Sequence, residues 1–211
     1  MIDLLRSFLP ALMAGFAVNL QIAAAATAIG LMLGLPLALL RHNIPGARRP
    51  IHVFVRLMQA APTYAIMFFA LNALPRNMIL FDTPITGLVA VVLAQSVYLT
   101  SYIEENGHQA IECLSRSEIE QAMLFIPNLV RGFIVVVMSS GFAAAIGVSE
   151  AVGVTMRQAE QLHAVGERVL LFLFVIALFA SVFGAATALI GYALRHMAAG
   201  ASVAFTPQSA E

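Results

Sequence analysis

A chain of 211 residues that is 61 % hydrophobic and 10 % charged, with eleven basic against eleven acidic side chains, is far more apolar than an ordinary soluble domain. It has several runs that reach the roughly 20 apolar residues needed to cross a bilayer core of about 30 Å. Zero net charge without a basic stripe excludes a nucleic-acid surface, and because all eleven basic residues are Arg, neither a Walker A phosphate loop nor a Schiff-base site can be built.

The predicted class is all-α: a polytopic membrane protein of about five transmembrane helices in a single domain, residues 1–197. The first helix is expected over 11–40, interrupted only by Asn19, Gln21 and Thr27. It is too long for a signal-peptide core and should remain in the membrane. A turn-rich loop with Arg41, Arg48 and Arg49 follows, then a second helix over 51–74 whose first half carries Arg56, Gln59 and Pro62. The loop around Pro75, Arg76, Asp82 and Pro84 leads to a third helix over 85–103. Residues 104–128 hold Glu104, Glu105, His108, Glu112, Arg116, Glu118 and Glu120 between apolar positions, and read as an amphipathic surface segment. A fourth helix covers 129–148. A second polar segment, 149–168, has helical spacing of Val152, Met156, Ala159 and Leu162, and a fifth helix covers 169–194. The Ala-, Ser- and Pro-rich residues 198–211 read as a disordered tail.

Arg residues near helix ends accumulate on the cytoplasmic side. With the N-terminus outside, Arg41, Arg48, Arg49, Arg56, Arg116, Arg131 and Arg195 fall inside and Arg6, Arg76, Arg157 and Arg168 outside, seven against four. The expected topology is N-out and C-in, with 104–128 in the cytoplasm.

Short motifs in a fixed order then narrow the class. They are Phe8-Leu9-Pro10, Gly15 and Asn19-Leu20; Gln59-Ala60-Ala61-Pro62; Tyr102, Glu105 and Ile111 with His108 between them; Glu120-Gln121-Ala122; Pro127; and Ala145-Ile146-Gly147-Val148-Ser149-Glu150. Over roughly residues 8 to 196 the chain resembles the permease subunits of ABC importers for polar amino acids, of the histidine, glutamine and arginine type. Gln59 to Pro62 resembles the family's Arg-Gly-Thr-Pro turn without its arginine, and Asn19-Leu20 stands at its Thr-Leu pair. Glu120-Gln121-Ala122 stands where the family has the Glu-Ala-Ala start of the loop that docks into the ATPase. That loop is shortened and degenerate here, passing almost directly from Ala122 to Pro127.

The resemblance implies a type I ABC importer permease in a bacterial inner membrane. Its partners would be a second permease subunit, in a heterodimer that carries the fuller coupling loop, a cytoplasmic ATPase dimer and an extracytoplasmic solute-binding protein. The substrate would be a polar amino acid or related small polar solute. The chain itself would be no enzyme and hold no cofactor, with ATP and Mg bound by the partner ATPase. Coupling would fall to Glu120, Gln121 and Ala122 with Glu105 and Ile111. The alternative is a non-transporting accessory or structural subunit derived from such a permease, which a shortened loop permits.

Polar groups at membrane depth are costly unless they face protein or a wet cavity. Gln59, Pro62, Gln95, Tyr98, Ser139 and Ser140 are therefore the expected translocation pathway, with interhelical hydrogen bonding as the competing account. Pro62 is either a functional kink or a tolerated membrane proline. Gly30-x-x-x-Gly34 marks close helix packing, and a dimer seam is one form of it. Arg56 reads as snorkelling to headgroups. His108 and lone Cys113 make no metal site. Glu104, Glu105 and His108 form the one plausible acid–base cluster for an enzyme, and no nucleophile stands beside them. The absence of Asp and Lys from the expected spans argues against a carrier driven by protons or sodium alone.

Overall fold

The computed structural model describes the backbone of residues 2–75, 78–80 and 83–204, and side chains between 8 and 192 outside residues 76–77 and 80–84. Arg76 and Asp82 of the expected loop, the side chains of Arg6 and Arg195, and tail residues 205–211 lie outside the described residues.

Helix α1 runs Ile2–Asn43 with Pro10 and Pro36 inside it. At about 1.5 Å per residue it exceeds a bilayer core. A 3-10 turn, Pro45–Ala47, leads to α2 (Arg48–Ala60) and α3 (Thr63–Ala73). The expected single helix over 51–74 is thus two helices, bent by 89° at Ala61-Pro62. Pro62 supplies the physical cause: it cannot donate a backbone bond, and Ala61 before it is extended (ψ 120°). A two-residue hairpin pairs Ile79–Leu80 with Thr83–Pro84.

Helix α4, Thr86–Ser115, is the centre of the bundle. It corrects the expected break at 103. Residues 104–115 continue a spanning helix instead of opening a separate surface segment, because Glu104 finds a cationic partner and needs no water. The helix ends at Arg116-Ser117, where Ser117 takes a left-handed φ of 62°. The four-residue α5, Ile119–Ala122, follows, and α6 begins early at Phe125 and ends at Ser139. A 3-10 stretch, Ser140–Ile146, completes the expected fourth helix. The polar segment after it folds as α7, Ala151–Glu160, and α8 spans Val165–Ala204, taking in part of the expected tail. Among the described residues four helical stretches are long and apolar enough to cross a membrane, namely Phe8–Asn43, Thr86–Ser115, Ile119–Ile146 (α5, α6 and the 3-10 stretch together) and Val165–Tyr192, and five if the bent α2–α3 pair is one span.

Packing sets the directions. Ile22 packs with Val91 and Ala94, Ala26 with Leu99, and His42 faces His108, so α1 and α4 run parallel. The small residues of α1 face this seam within the chain. A Cβ at Gly30 would stand 2.9 Å from Leu99 Cβ, and one at Gly34 would stand 2.8 Å from the Thr100 carbonyl oxygen. That settles the use of the Gly30/Gly34 pair as intrachain. Helix α6 returns antiparallel, with Asn128 bonded to Asn106 and a Cβ at Gly132 meeting Tyr102. Phe16 packs on Phe179 and Phe183 of α8. Arg41, Arg48, Arg49, Arg56, Arg116 and Arg131 consequently gather at one end of the bundle, termed the basic end, and Arg157 and Arg168 lie at the far end.

Candidate functional site

Two polar constellations interrupt the apolar packing. The first joins α1 to the start of α7. Asn19, 1 % exposed, donates through Nδ2 to Ser140 Oγ at 2.7 Å and to Glu150 Oε2 at 3.0 Å, while its Oδ1 accepts from the Ala151 N–H at 3.0 Å. Glu150 caps α7, accepting from the N–H groups of Val152 at 2.8 Å and Gly153 at 2.7 Å, where the helix N-terminus favours negative charge. Burial pushes the Glu150 carboxyl above its ordinary range, against the opposing pull of these N–H groups and the Asn19 amide. The approach is close because a Cβ at Gly15 would lie 2.8 Å from the Ala151 nitrogen. Nearby, Ser139 Oγ donates to Gln95 Oε1 at 3.3 Å.

The second constellation lies at the basic end. Arg41 donates to both Glu104 oxygens, at 3.1 and 3.2 Å. The Glu104 side chain is 0 % exposed and that of Arg41 18 %. Gln59 donates to Glu105 at 2.9 Å, so a residue expected in the pathway and one expected in coupling are partners across the α2–α4 contact. In the α4–α6 turn Glu120 and Gln121 are exposed and Ala122 is buried, while Ile111, in the last turns of α4, is half-buried. Gln121 accepts a weak bond from Cys113 Sγ at 3.8 Å. Leu114, Ile119, Met123, Leu124 and Ile126 leave this turn with an exposed apolar face.

Ser140 and Gln95 are therefore buried in interhelical hydrogen bonds, Tyr98 stacks on Tyr102 at 5.9 Å between ring centroids, and Pro62 is exposed at the break. A cavity of about 470 Å³ opens at the far end, between Val18 and Gln21 of α1, Thr86 and Gly87 of α4, and Ile146 to Ser149.

No family model matches the sequence, and neither does any curated protein. Among solved structures, a chain from the crystal structure of an amino acid ABC transporter with histidines superposes with a TM-score of 0.59. The match covers 92 % of this chain and 95 % of that one, at 18 % identity. The two share a fold. At that identity the likeness is one of overall fold.

Sequence reasoning underweighted Asn19, Glu150 and the Arg41–Glu104 pair. A signal was present for the first two, since an Asn inside an apolar run and a Glu before a helix both demand partners. None was present for the pairing of Arg41 with a residue 63 positions away.

Proposed function

We propose that this chain is the transmembrane permease subunit of an ABC importer, moving a polar amino acid or related small polar solute across a bacterial inner membrane. The observation that carries the reading is the end-to-end fold likeness to a chain of an amino acid ABC transporter, over 92 % of this chain. In support, the α4–α6 turn offers Glu120 and Gln121 beside exposed Ile119, Met123 and Leu124, a mixed surface suited to a soluble partner. On this reading the basic end is cytoplasmic, ATP and Mg belong to a separate ATPase dimer, and an extracytoplasmic binding protein delivers solute. A second permease completes the path, since the polar residues of this chain are largely satisfied within it. ATPase closure would be transmitted as a rigid-body motion through the α4–α6 turn.

A specific observation keeps a second reading, that of a non-transporting accessory subunit: α5 has only four residues to fit an ATPase cleft. Copurification followed by reconstituted transport distinguishes the two. Recovery of an ATPase with solute uptake that is lost when residues 116–124 are replaced by a Gly-Ser linker supports transport and coupling. Uptake and ATP hydrolysis unchanged by that replacement would refute the coupling role of Glu120 and its neighbours. A bound ATPase whose hydrolysis never responds to this chain would favour the accessory subunit.

A further inference from the structure

A cavity of about 400 Å³ opens at the basic end, where the last turn of α1, the first turns of α2 and the later turns of α4 converge. Its lining is cationic: Arg41, Arg48, Arg49, His52 and His108, with Glu112 as its carboxylate and Val53 at the edge. Arg41 is committed to Glu104, and Glu112 faces His108 Nε2 at 3.5 Å. Among the described residues Arg48 reaches only the His42 carbonyl oxygen, at 3.5 Å, and Arg49 has no carboxylate partner. Two guanidinium groups are thus left over at one concavity. His108 Nδ1, buried at its wall, has no hydrogen-bond partner among the described residues.

We propose that this cavity holds the phosphate of an anionic phospholipid from the leaflet that the basic end meets. Two guanidinium forks suit the oxygens of a phosphodiester. The apolar rim identifies the carrier. Val53, which lines the cavity, together with Phe54 and Leu57 is 51–65 % exposed on α2, and α2 turns by 89° from α3. Where α3 enters the bilayer from the basic end, the 89° bend lays α2 along the surface as an amphipathic helix. A soluble anion gains nothing from that rim, whereas an acyl chain beneath a bound headgroup covers it. The site requires only that the bundle sits in a bilayer and does not rest on the transport reading.

The full chain, with any subunits that copurify, is purified in neutral detergent and titrated with phosphatidylglycerol, phosphatidylethanolamine or inorganic phosphate. Unfolding temperature is followed, and retained lipid is counted by native mass spectrometry. Phosphatidylglycerol should be retained and should raise the unfolding temperature, and the other two should not. With each basic residue near an anionic lipid surface contributing roughly fivefold in affinity, R48Q/R49Q should weaken the response roughly 25-fold. R48K/R49K, which keeps the charge and loses the forked contacts, should respond between the parent and R48Q/R49Q, and R157Q at the far end should leave the response unchanged. An equal response to phosphatidylethanolamine, or a phosphatidylglycerol response unaltered in R48Q/R49Q, overturns the proposal. So does reproduction of the effect by phosphate, which would mark a free-anion site. Loss of a copurifying soluble subunit from R48Q/R49Q with its lipid response intact would assign the two arginines to a protein contact instead.

Discussion

Replacing Arg41 by Leu should damage the protein more than replacing Glu104, although the two make the same ion pair. The Glu104 carboxylate is completely buried, whereas the Arg41 side chain keeps 18 % of its surface exposed at the end of α1. In Arg41→Leu the carboxylate loses both charge-assisted bonds with no water to replace them, and an uncompensated buried charge costs about 3–5 kcal/mol. In Glu104→Leu the guanidinium can extend toward the headgroups, so the loss is that of hydrogen bonds to a charged group, about 2 kcal/mol. The double variant R41L/E104L removes both charges and should fall within about 1 kcal/mol of the parent, since apolar replacements of buried pairs are often neutral or stabilising. The single-variant losses then sum to far more than the double-variant loss. Equilibrium unfolding in mixed detergent micelles measures all four species. Equal losses in the two single variants, or a double variant that costs their sum, would show that the pair is hydrated or not formed.

Asn19→Leu should destabilise by about 2–4 kcal/mol, because it removes three hydrogen bonds and leaves the Ala151 N–H unsatisfied; unfolding in micelles again provides the measurement. Asn19→Asp sets a second carboxylate against Glu150. Two like charges then meet at neutral pH, and the penalty shrinks as pH falls and one of the two groups is protonated. A loss independent of pH would mean that the two side chains do not meet. Gly34→Val should cost about 1–3 kcal/mol or more through overpacking, since its Cβ would press on the Thr100 carbonyl oxygen at 2.8 Å, backbone that cannot rotate away. The exposed Gly46, whose Cβ would meet nothing within 4 Å, provides the comparison: Gly46→Val should unfold close to the parent.

The long apolar runs made α1, α4, α6 and α8 readable, since a bilayer demands length and hydropathy and little else. Their limits were less readable where a polar residue has a partner far away in the chain. Glu104 looks like the start of a wet segment until Arg41 is placed beside it, and the continuation of α4 to Ser115 follows from that contact. The break at Pro62 was visible as a proline, but an 89° turn depends on α2 packing Val55 against the bundle while α3 packs Met67 elsewhere. Of the candidate site, the α4–α6 turn was located by the order of short motifs. The polar residues expected to line a path were chosen by the cost of burying them, and that cost is equally met by hydrogen bonds between helices, as Gln95 with Ser139 and Asn19 with Ser140 illustrate.

The Arg41–Glu104 pair also carries an order of events. Synthesis runs from the N-terminus, so the guanidinium is made before its carboxylate, which follows 63 positions later. The partner that comes first stands in the last turn of a helix, where a long cationic stem can reach the aqueous boundary while it waits. The one that comes later is buried from every side and could not wait in the same way. Insertion of α4 beside an α1 already in place thus delivers the less tolerant charge directly to its counterion, and the chain's direction of growth protects the bundle from passing through its most costly intermediate.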